Sequence, residues 1–384
     1  MKMLAALSGG VDSAVAAAAA LEAGHQVTGV YLALLPGSPT GSGVCWVTGS
    51  EPGDTRAVAQ APHEKTQEVK PGGGEAPAGA AGAQATADRL GIDLQVWDLS
   101  GEFAQLVVQD FIDQYAAGRT PNPCVRCNQH IKFGLLQRRA LDLGFDKVCT
   151  GHYARLETSG GFVALRRAKD LAKDQSYVLA AAGAVALARS WFPLGQVASK
   201  TEVRQRATNL GLAAAKQPDS LDICFIPDGN TAGFLRSHLG ERPGELIDQT
   251  GKVLGQHSGT YQFTVGQRRG LRLSDPAPGG QPRYVTAIDA TTGQVRIGAT
   301  ADLEVWRFAV SALEWLVPPA NTTVPALVQV RAHSQAMPCR VLAGHNRHTV
   351  ELDQPIRGLA AGQSAVFYRD DLVLGHGIIE PGGC

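Results

Sequence analysis

One stretch of six residues, Ser8 to Ser13 (SGGVDS), restricts the fold of this chain more than any other. It follows an apolar run, residues 3–7, and precedes an alanine-rich run, residues 14–21. That order predicts a buried strand, a tight glycine turn and the first turn of a helix. The N–H groups of a helix start, together with two hydroxyls and a closely approaching glycine backbone, bind anions. The sequence therefore predicts a site for phosphate or pyrophosphate.

The glycine turn contains a carboxylate, Asp12, and no lysine follows it, so it differs from the Walker loop G-x-x-x-x-G-K-[ST]. An acidic residue beside a phosphate suggests a bridging Mg2+. The motif resembles the PP-loop of ATP pyrophosphatases, enzymes that split ATP between its α and β phosphates, and the resemblance implies ATP as a cofactor. The alternative is a plain helix start with Ser and Asp as capping residues. Capping alone explains neither the paired glycines nor the preceding buried strand.

The length of 384 residues suits two or three domains, each able to bury its own core. Basic and acidic residues number 35 each, so the formal net charge is zero. A polyanionic partner would therefore be held by local basic patches rather than by an overall field. Each such patch is, taken singly, better explained as a solvated surface. The three patches are Arg119, Arg126, Lys132, Arg138 and Arg139; Arg166, Arg167, Lys169 and Lys173; and Arg268, Arg269 and Arg272.

The seven cysteines are an odd number spread thinly along the chain, which is not the pattern of a secreted disulfide framework. The first residues lead directly into an apolar run, which leaves no room for a signal or transit peptide. No run of about 18 apolar residues occurs. We therefore expect a cytoplasmic protein with no membrane partner.

Three regions differ in their patterns. In residues 1–216, apolar runs alternate with helical stretches, which is typical of a doubly wound parallel α/β sheet. Helices are predicted over 13–23, 85–90, 103–117 and 132–143. Residues 36–83 interrupt this alternation with Gly, Pro, Ala and charged residues, and we expect a mobile insertion there. Residues 217–300 suggest a small central mixed domain. Residues 301–384, with short β-rich runs between turns, predict a C-terminal antiparallel β-barrel.

A C-x-x-C pair, Cys124 and Cys127, follows two prolines and precedes a helix predicted to begin near residue 131. A thiol near a helix N-terminus, with Arg126 and Lys132 close by, is expected to have a lowered pKa and to be partly thiolate. Cys224 lies in a short apolar piece, DICFI, and alone is best explained as a buried structural cysteine. With one C-x-x-C and no second pair, the sequence predicts no closed zinc site and no other metal ligand set.

Several separated motifs occur in a specific order. They are SGGVDS at 8–13, GRTPNPCVRCNQHIKFG at 118–134, TGHYAR at 150–155, KDQSYVL at 173–179, PDSLDICFI at 218–226, GTYQFTVGQRRGL at 259–271 and AGQSAVFY at 361–368. Together they closely resemble the tRNA-specific 2-thiouridylases, over nearly all of the chain except residues 36–83. The resemblance implies a PP-loop domain of the adenine nucleotide α-hydrolase type, a small central domain and a β-barrel, which together hold the anticodon arm of tRNA.

The resemblance implies that ATP adenylates the C2 oxygen of the wobble uridine, position 34, and that a persulfide sulfur replaces it. By the family motif, Cys224 carries the persulfide and Cys127 is its partner. Conversion to an AMP ester makes displacement of this oxygen by sulfur feasible at neutral pH. Cys127 then either forms a disulfide with Cys224 or frees hydrogen sulfide that attacks instead. A further alternative is an iron–sulfur cluster held by Cys124, Cys127 and Cys224.

The resemblance also assigns binding residues one by one. The expected ATP-site residues are Ala6, Leu7, Ser8, Gly9, Gly10, Val11, Asp12, Ser13, Leu32 and Gly151. The expected tRNA-contacting residues are Asn122, Pro123, Cys124, His152, Lys173, Asp174, Gln175, Arg331, Ala332 and Gln363. Tyr153 and Phe225 are candidates to stack on a flipped uridine, with core packing as the equal alternative. The implied partners are tRNA and a sulfur-donor or sulfur-relay protein such as a cysteine desulfurase.

Two other functions are open at this stage. A different PP-loop enzyme, of the amidotransferase type, would adenylate a small carboxylate or carbonyl and add nitrogen, with no use for Cys127 or Cys224. A non-catalytic RNA-binding or redox-sensing protein would keep tRNA binding but release no pyrophosphate from ATP. Without its motif, His152 would be best explained as a satisfied core histidine.

Overall fold

A computed structural model describes residues 1–35, 80–159, 162–216, 223–273, 280–344 and 347–382. The expected mobile insertion, residues 36–83, lies outside the described residues except for its last four positions. Those four belong to the packed body, because helix α2 (Ala81–Leu90) begins among them and Ala83 has no exposed surface. The expected C-terminal bound of the insertion, residue 83, therefore lies too late in the chain, because α2 already begins at Ala81.

The N-terminal unit is built on a five-stranded parallel sheet. Its strands are β1 Lys2–Ala6, β2 Gln26–Ala33, β3 Leu94–Asp98, β4 Lys147–Cys149 and β7 Ser190–Trp191. They lie in the order β3–β2–β1–β4–β7, so β2 and β4 flank β1 on opposite sides. In such doubly wound sheets, ligands bind beyond the carboxyl ends of the strands where the strand order reverses. The glycine turn follows β1 at this place, and the predicted α/β domain is confirmed.

The helices of the chain pack mainly around this sheet. They are α1 Val11–Glu22, α2, α3 Ser100–Phe103, α4 Gln109–Ala116, α5 Pro123–Arg126, α6 Leu136–Asp142, α7 Ser176–Leu179, α8 Ala184–Ala188, α9 Lys200–Asn209 and α10 Thr231–Leu239. Two π-helical segments join neighbouring helices: Ala104–Val108 lies between α3 and α4, and Cys127–Leu135 between α5 and α6. Within the described ranges, none of the helices is long and apolar enough to cross a membrane.

Helix α1 is buried because its side chains are small. Residues 14–20 are all buried, and six of these seven are alanine. Alanine allows close approach of neighbouring elements and has the highest helix propensity. The helix packs in one core cluster with β1, α2 and α9, through residues such as Met3, Ala87 and Val203. Its N-terminus is thereby fixed at the edge of the sheet.

The central unit is a small four-stranded sheet. Its strands are β8 Gly244–Ile247, β9 Val253–His257, β10 Tyr284–Asp289 and β11 Gln294–Gly298, in the order β10–β11–β8–β9. Only β8 and β11 pair in parallel, so the sheet is mixed. A compact apolar cluster that includes Leu246, Val285 and Val295 fills one side of it.

The C-terminal unit is a closed barrel. Its strands are β12 Glu304–Trp315, β13 Thr323–Gln329, β14 Met337–Leu342, β15 His348–Arg357, β16 Ser364–Arg369 and β17 Leu372–Ile379. They are antiparallel in the order β12–β15–β14–β13–β16–β17, and β12 also pairs with β17, which closes the sheet. Closure removes exposed strand edges. The predicted antiparallel barrel is confirmed.

A hairpin of the N-terminal unit attaches to this barrel. Its strands, β5 Ala154–Ser159 and β6 Phe162–Arg167, extend the sheet beside β17. Asp371 accepts hydrogen bonds from both Arg155 and Arg166. The Arg167 guanidinium lies 3.8 Å from the centroid of the Tyr368 ring, a cation–π distance. The hairpin thus joins the N-terminal unit to the barrel.

Candidate active site

The glycine turn between β1 and α1 has the geometry of an anion site. Gly9 has φ +84°, a left-handed conformation that favours glycine. Gly10 is the N-cap of α1, and no side chain caps this helix start. The Ser13 hydroxyl donates to the Gly10 carbonyl at 2.9 Å and accepts from the Ser8 N–H at 3.2 Å. The turn is therefore fixed in shape, with the N–H groups of the first helical turn directed to one place.

Gly151, which follows β4, lies directly against this turn. A Cβ atom at that position would lie 2.6 Å from the carbonyl carbon of Asp12 and 2.7 Å from the nitrogen of Ser13. Gly82 of α2 approaches the turn closely as well, since its Cβ would lie 3.2 Å from the Cα of Gly9. Glycine at both positions allows the neighbouring segments to enclose the turn.

The Asp12 carboxylate is held by a lysine and a tyrosine. The Nζ atom of Lys200 lies 2.6 Å from each carboxylate oxygen, and the Tyr153 hydroxyl donates to Oδ1 at 2.6 Å. The Lys200 side chain is only 13% exposed, so solvent screens this pair weakly. A cation therefore lies beside the carboxylate that is expected to serve phosphate and metal.

Lys200 is the functional residue that sequence reasoning missed. It is the first residue of α9, whose N-cap Ser199 accepts a hydrogen bond from the Glu202 N–H at 3.3 Å. The S-x-x-E pattern at 199–202 predicts a helix start. It does not indicate an approach to Asp12, which is 188 positions away. Only the packing of α9 on α1 brings the two side chains together.

The remaining expected ATP-site residues surround the turn. Ala6 ends β1, and the Leu7 N–H donates to the Val30 carbonyl of β2 at 2.8 Å. Leu32 lies further along β2 and packs in the cluster that contains Trp97. The residues from Ala6 to Ser13, Leu32 and Gly151 thus meet at the carboxyl edge of three adjacent strands. Their contact with ATP stays a prediction.

Cys124 and Cys127 lie in the first turns of a helix, not ahead of one. The helix begins at Pro123 because Asn122 Oδ1 accepts from the N–H groups of Cys124 at 3.0 Å and Val125 at 3.4 Å. Proline suits the first helical position, where its missing N–H costs nothing. The predicted start near residue 131 is wrong. Asn122 and Pro123, expected to contact tRNA, have this capping role in the structure.

The thiols of the three candidate cysteines are less acidic than an ordinary thiol. Burial raises the pKa of Cys127, and the charge of Lys132 partly offsets this. Burial also raises the pKa of Cys124, although part of its side chain is exposed. Burial, with smaller contributions from Cys127 and Cys124, raises the pKa of Cys224 to about 11. The expected lowering of the pKa is wrong, because loss of water outweighs the helix N-terminus and the nearby cations.

The segment that carries Cys224 packs against the helix of the C-x-x-C pair, since Ile223 and Phe225 share a core cluster with Cys127. Cys224 is affected by both Cys124 and Cys127 although it is far from them in sequence, and all three are free cysteines. Among the described residues, no three or more His, Cys, Asp or Glu side chains are arranged to hold a metal ion. The persulfide schemes and the iron–sulfur alternative for these cysteines stay predictions.

His152, expected to contact tRNA, is buried next to this cluster. Its Nδ1 atom lies 2.7 Å from the Thr150 hydroxyl, and its ring packs against those of Phe133 and Phe192. Burial, followed by the charge of Lys132, holds the pKa of His152 well below its ordinary value. The ring is therefore neutral. Its contact with tRNA stays a prediction.

The residues of the KDQ motif form a loop against the TGHYAR segment. The Asp174 carboxylate accepts from Arg167 Nη1 at 3.0 Å, and Gln175 Oε1 accepts from the Tyr153 N–H at 3.0 Å. Lys173 is half-buried in the same loop. This loop therefore supports the segment that carries Gly151 and Tyr153. A role of the three residues in binding tRNA stays a prediction.

Arg331, Ala332 and Gln363 lie where the barrel meets the other two units. Arg331 Nη2 donates to a carbonyl of the central unit at 3.3 Å and to that of Gly358 at 2.5 Å. The Gln363 amide donates to the Thr120 carbonyl at 2.7 Å. A cavity of about 290 Å3, lined by all three units, lies at this junction. These residues join the units, and their contact with tRNA stays a prediction.

The two aromatic candidates for base stacking are enclosed. Tyr153 is 2% exposed and its hydroxyl is bonded to Asp12. Phe225 is 8% exposed and packs edge-on against Phe103 and Phe111. Both rings are therefore part of the protein core in this structure.

The doubly wound sheet, the glycine turn at its strand reversal and the acidic residue within that turn define an α/β nucleotide-binding protein of the PP-loop class. Comparison with family models agrees over most of the chain. Residues 1–61 and 54–228 match a tRNA methyl transferase HUP domain, residues 232–299 a tRNA methyl transferase PRC-barrel domain, and residues 305–379 an aminomethyltransferase beta-barrel domain.

Curated relatives match along the whole chain, and each of the following is named tRNA-specific 2-thiouridylase MnmA. The protein of Beutenbergia cavernae is 48% identical over 389 residues, covering 100% of this chain and 96% of the relative. The protein of Acidothermus cellulolyticus is 48% identical, and the match covers 99% of this chain and 97% of the relative. The protein of Corynebacterium efficiens is 46% identical, and the match covers 99% of this chain and 99% of the relative. The chain belongs to the tRNA-specific 2-thiouridylase MnmA family.

Proposed function

We propose that this protein is a tRNA-uridine 2-sulfurtransferase, which uses ATP and a cysteine persulfide to convert the wobble uridine of tRNA to 2-thiouridine. The products are the thiolated tRNA, AMP and pyrophosphate. The observation that carries the proposal is the packing of the segment around Cys224 against the helix that carries Cys127, in the same chain as the glycine turn that Gly151 encloses. An ATP-activating turn and a reactive sulfur are the two parts that this reaction requires.

The first half-reaction takes place at the glycine turn. The N–H groups at the start of α1 would hold the phosphates of ATP, and Asp12 would hold a Mg2+ ion, which would neutralise part of the phosphate charge. The uridine O2 attacks the α phosphorus, and pyrophosphate leaves. Oxygen O2 thereby becomes part of an AMP ester, a far better leaving group than the original carbonyl oxygen.

The second half-reaction uses the cysteine pair. A persulfide donor transfers its outer sulfur to the Cys224 thiolate, and the donor leaves as a thiolate. The terminal sulfur of the Cys224 persulfide attacks C2 of the uridine, and AMP leaves with the original oxygen. The Cys127 thiolate then attacks the inner sulfur, which releases 2-thiouridine and leaves a Cys127–Cys224 disulfide for an external thiol to reduce. In the alternative scheme with free sulfide, the Cys127 thiolate attacks the inner sulfur of the Cys224 persulfide first. The hydrogen sulfide that this releases then attacks C2.

The proposed partners are the anticodon arm of tRNA and a protein that supplies sulfur, such as a cysteine desulfurase or a relay protein. We propose that Asn122, Lys173 and Arg331, among others, contact the tRNA, which the resemblance of their motifs supports. Since tRNA with a wobble uridine and ATP are both cytoplasmic, the reaction is assigned to the cytoplasm.

The proposal is tested by incubating the full chain with tRNA, Mg2+, ATP and a low-molecular-weight persulfide donor, followed by mass spectrometry of the tRNA nucleosides. The expected product is 2-thiouridine at position 34, formed only when ATP is present. Pyrophosphate release without thiolation, unaffected by Cys224→Ser, would instead favour the amidotransferase-type enzyme. Binding of tRNA without any pyrophosphate release would favour a non-catalytic RNA-binding protein.

A further inference from the structure

The glycine turn at the start of α1 has no basic side chain of its own. Residues 8–21 contain neither lysine nor arginine. A Walker loop carries its phosphate-binding lysine within the loop, whereas this turn carries a carboxylate, Asp12. A carboxylate repels a phosphate at short range unless a cation compensates its charge. A phosphate site at this turn therefore needs positive charge from another part of the chain or from a metal ion.

Lys200 brings such a charge to the turn. Its Nζ atom lies 2.6 Å from both carboxylate oxygens of Asp12. The same atom lies 5.7 Å from the centroid of the Tyr153 ring, within the range of a cation–π contact. Asp12 belongs to the first turn of α1, whose N–H groups no side chain caps. The ammonium therefore lies beside the start of α1, where an anion would bind.

Two ion pairs, one at each end, join α9 to α1. Lys200 at the start of α9 contacts Asp12 at the start of α1, and Arg206 in the last turn of α9 contacts Glu22 at the end of α1. Between the pairs, the buried side chain of Val203 shares a core cluster with the alanines of α1. The two helices therefore run in the same direction, and both begin near the glycine turn.

The stability of α9 does not explain a lysine at its first position. The dipole of a helix favours anionic side chains at the N-terminus and cationic ones at the C-terminus. Arg206 follows this rule, whereas Lys200 lies against it. The Arg206 pair thus suits the attachment of the two helices. The Lys200 charge is unfavourable for its own helix and lies beside the proposed anion site.

We propose that Lys200 is the phosphate-binding lysine of this glycine turn, supplied by α9 instead of by the turn itself. Its ammonium offsets the charge of Asp12 in the free protein and attracts the pyrophosphate part of ATP to the N–H groups at the start of α1. The inference rests on the proposed use of ATP, and it requires neither tRNA nor sulfur transfer.

The test measures the affinity of the full chain for inorganic pyrophosphate and, separately, for adenosine, by calorimetric titration in the presence of Mg2+. Pyrophosphate probes the phosphate part of the site, and adenosine probes the nucleoside part. In Lys200→Met, which keeps an apolar stem but no charge, we expect pyrophosphate to bind roughly tenfold more weakly, because a hydrogen bond between charged groups is lost. The affinity for adenosine is expected to stay unchanged.

The matched control is Arg206→Met, which removes the other ion pair between the same two helices. It is expected to leave both affinities unchanged. The melting temperature of each variant shows whether it is folded, and Lys200→Gln replaces the methionine variant if that one is not.

An unchanged affinity for pyrophosphate in a folded Lys200 variant would overturn the inference. An equal loss of pyrophosphate and adenosine binding would overturn it as well, and so would an equal loss of pyrophosphate binding in Arg206→Met, because either result would indicate a purely structural role. Since the assay contains no tRNA and no sulfur donor, failure of the inference is distinguishable from failure of the proposed thiolation.

Discussion

Asp12 shows how much of this site depends on one residue. Its carboxylate, which is 35% exposed, contacts the Lys200 ammonium at 2.6 Å and accepts a hydrogen bond from Tyr153. Removal of one partner from a shielded charge pair leaves the other without compensation. The same carboxylate lies in the first turn of α1, where the phosphates are proposed to bind. A change at Asp12 is therefore expected to affect the proposed phosphate and metal binding and the contact with Lys200 together.

Replacement of Asp12 by alanine is expected to abolish pyrophosphate release, because the site loses the group that supports the metal. Binding of tRNA is expected to stay nearly intact, since Asp12 is proposed to serve the nucleotide and the metal. Pyrophosphate release and tRNA affinity are to be measured on the same preparation. Asp113→Ala, on the exposed side of α4, is the control and is expected to change neither. Undiminished pyrophosphate release by Asp12→Ala would refute this role.

Gly151 is a second point at which the site tolerates no change. In Gly151→Ala, the new Cβ would lie 2.6 Å from backbone of α1, so the turn or the segment after β4 must shift. Overpacking of this kind costs roughly 1–3 kcal/mol. We expect lower stability to denaturant and weaker ATP binding. The control is Gly101→Ala, where nothing lies within 4 Å of the added atom and alanine favours the helix. Equal stability of the two variants would contradict the close approach.

The residues of the site differ in how far the sequence predicts them. The turn from Ser8 to Ser13 is a local pattern, because strand, glycines and helix start are contiguous, and the structure has them as predicted. Lys200 has no such pattern, since its partner is distant in the chain. For a similar reason, the sequence predicts a lowered pKa for the cysteines, whereas burial raises it. Helix position and nearby cations are visible in the sequence, whereas burial by distant segments is not.

At the scale of elements, the helix that begins at Pro123 is the most instructive case. Asn122 and Pro123 form an N-cap followed by proline at the first helical position, which is a helix-start signal. The predicted helix start near residue 131 does not take this signal into account. The correction moves both cysteines into the helix.

Helix α2 provides a test at the same scale. Residues 49–79 lack the apolar periodicity of a core element, and long insertions cost little in loop-closure entropy. Their deletion is expected to leave the melting temperature almost unchanged. Extension of the deletion through Ala83 removes the start of α2, including Gly82 beside Gly9, and is expected to lower it clearly. Equal melting temperatures for the two deletions would show that this end of α2 does not support the glycine turn.

At the scale of the whole molecule, the three units were predictable because each has its own sequence period. The attachment of the units to one another was not predictable. The hairpin β5–β6 joins a barrel whose strands lie more than a hundred residues later, through contacts such as Arg155 and Arg166 with Asp371. Strand β12 closes the barrel by pairing with both β15 and β17. Pairings at such sequence separation leave no local pattern.

The arrangement of the units explains why one chain carries both half-reactions. The glycine turn belongs to the N-terminal sheet, the C-x-x-C pair to a helix of the same unit, and Cys224 to the segment that leads into the central unit. Gly151, His152 and Tyr153 connect the nucleotide side to the cysteine side.

The central claim is that Cys224 carries the transferred sulfur and Cys127 releases it. The direct measurement compares Cys127→Ser, Cys224→Ser and Cys124→Ser for protein-bound persulfide and for 2-thiouridine product in the same reaction. Cys224→Ser is expected to accept no sulfur and Cys127→Ser to be loaded at Cys224 but to form no product, whereas Cys124→Ser retains most activity. Normal thiolation by Cys224→Ser would contradict the account.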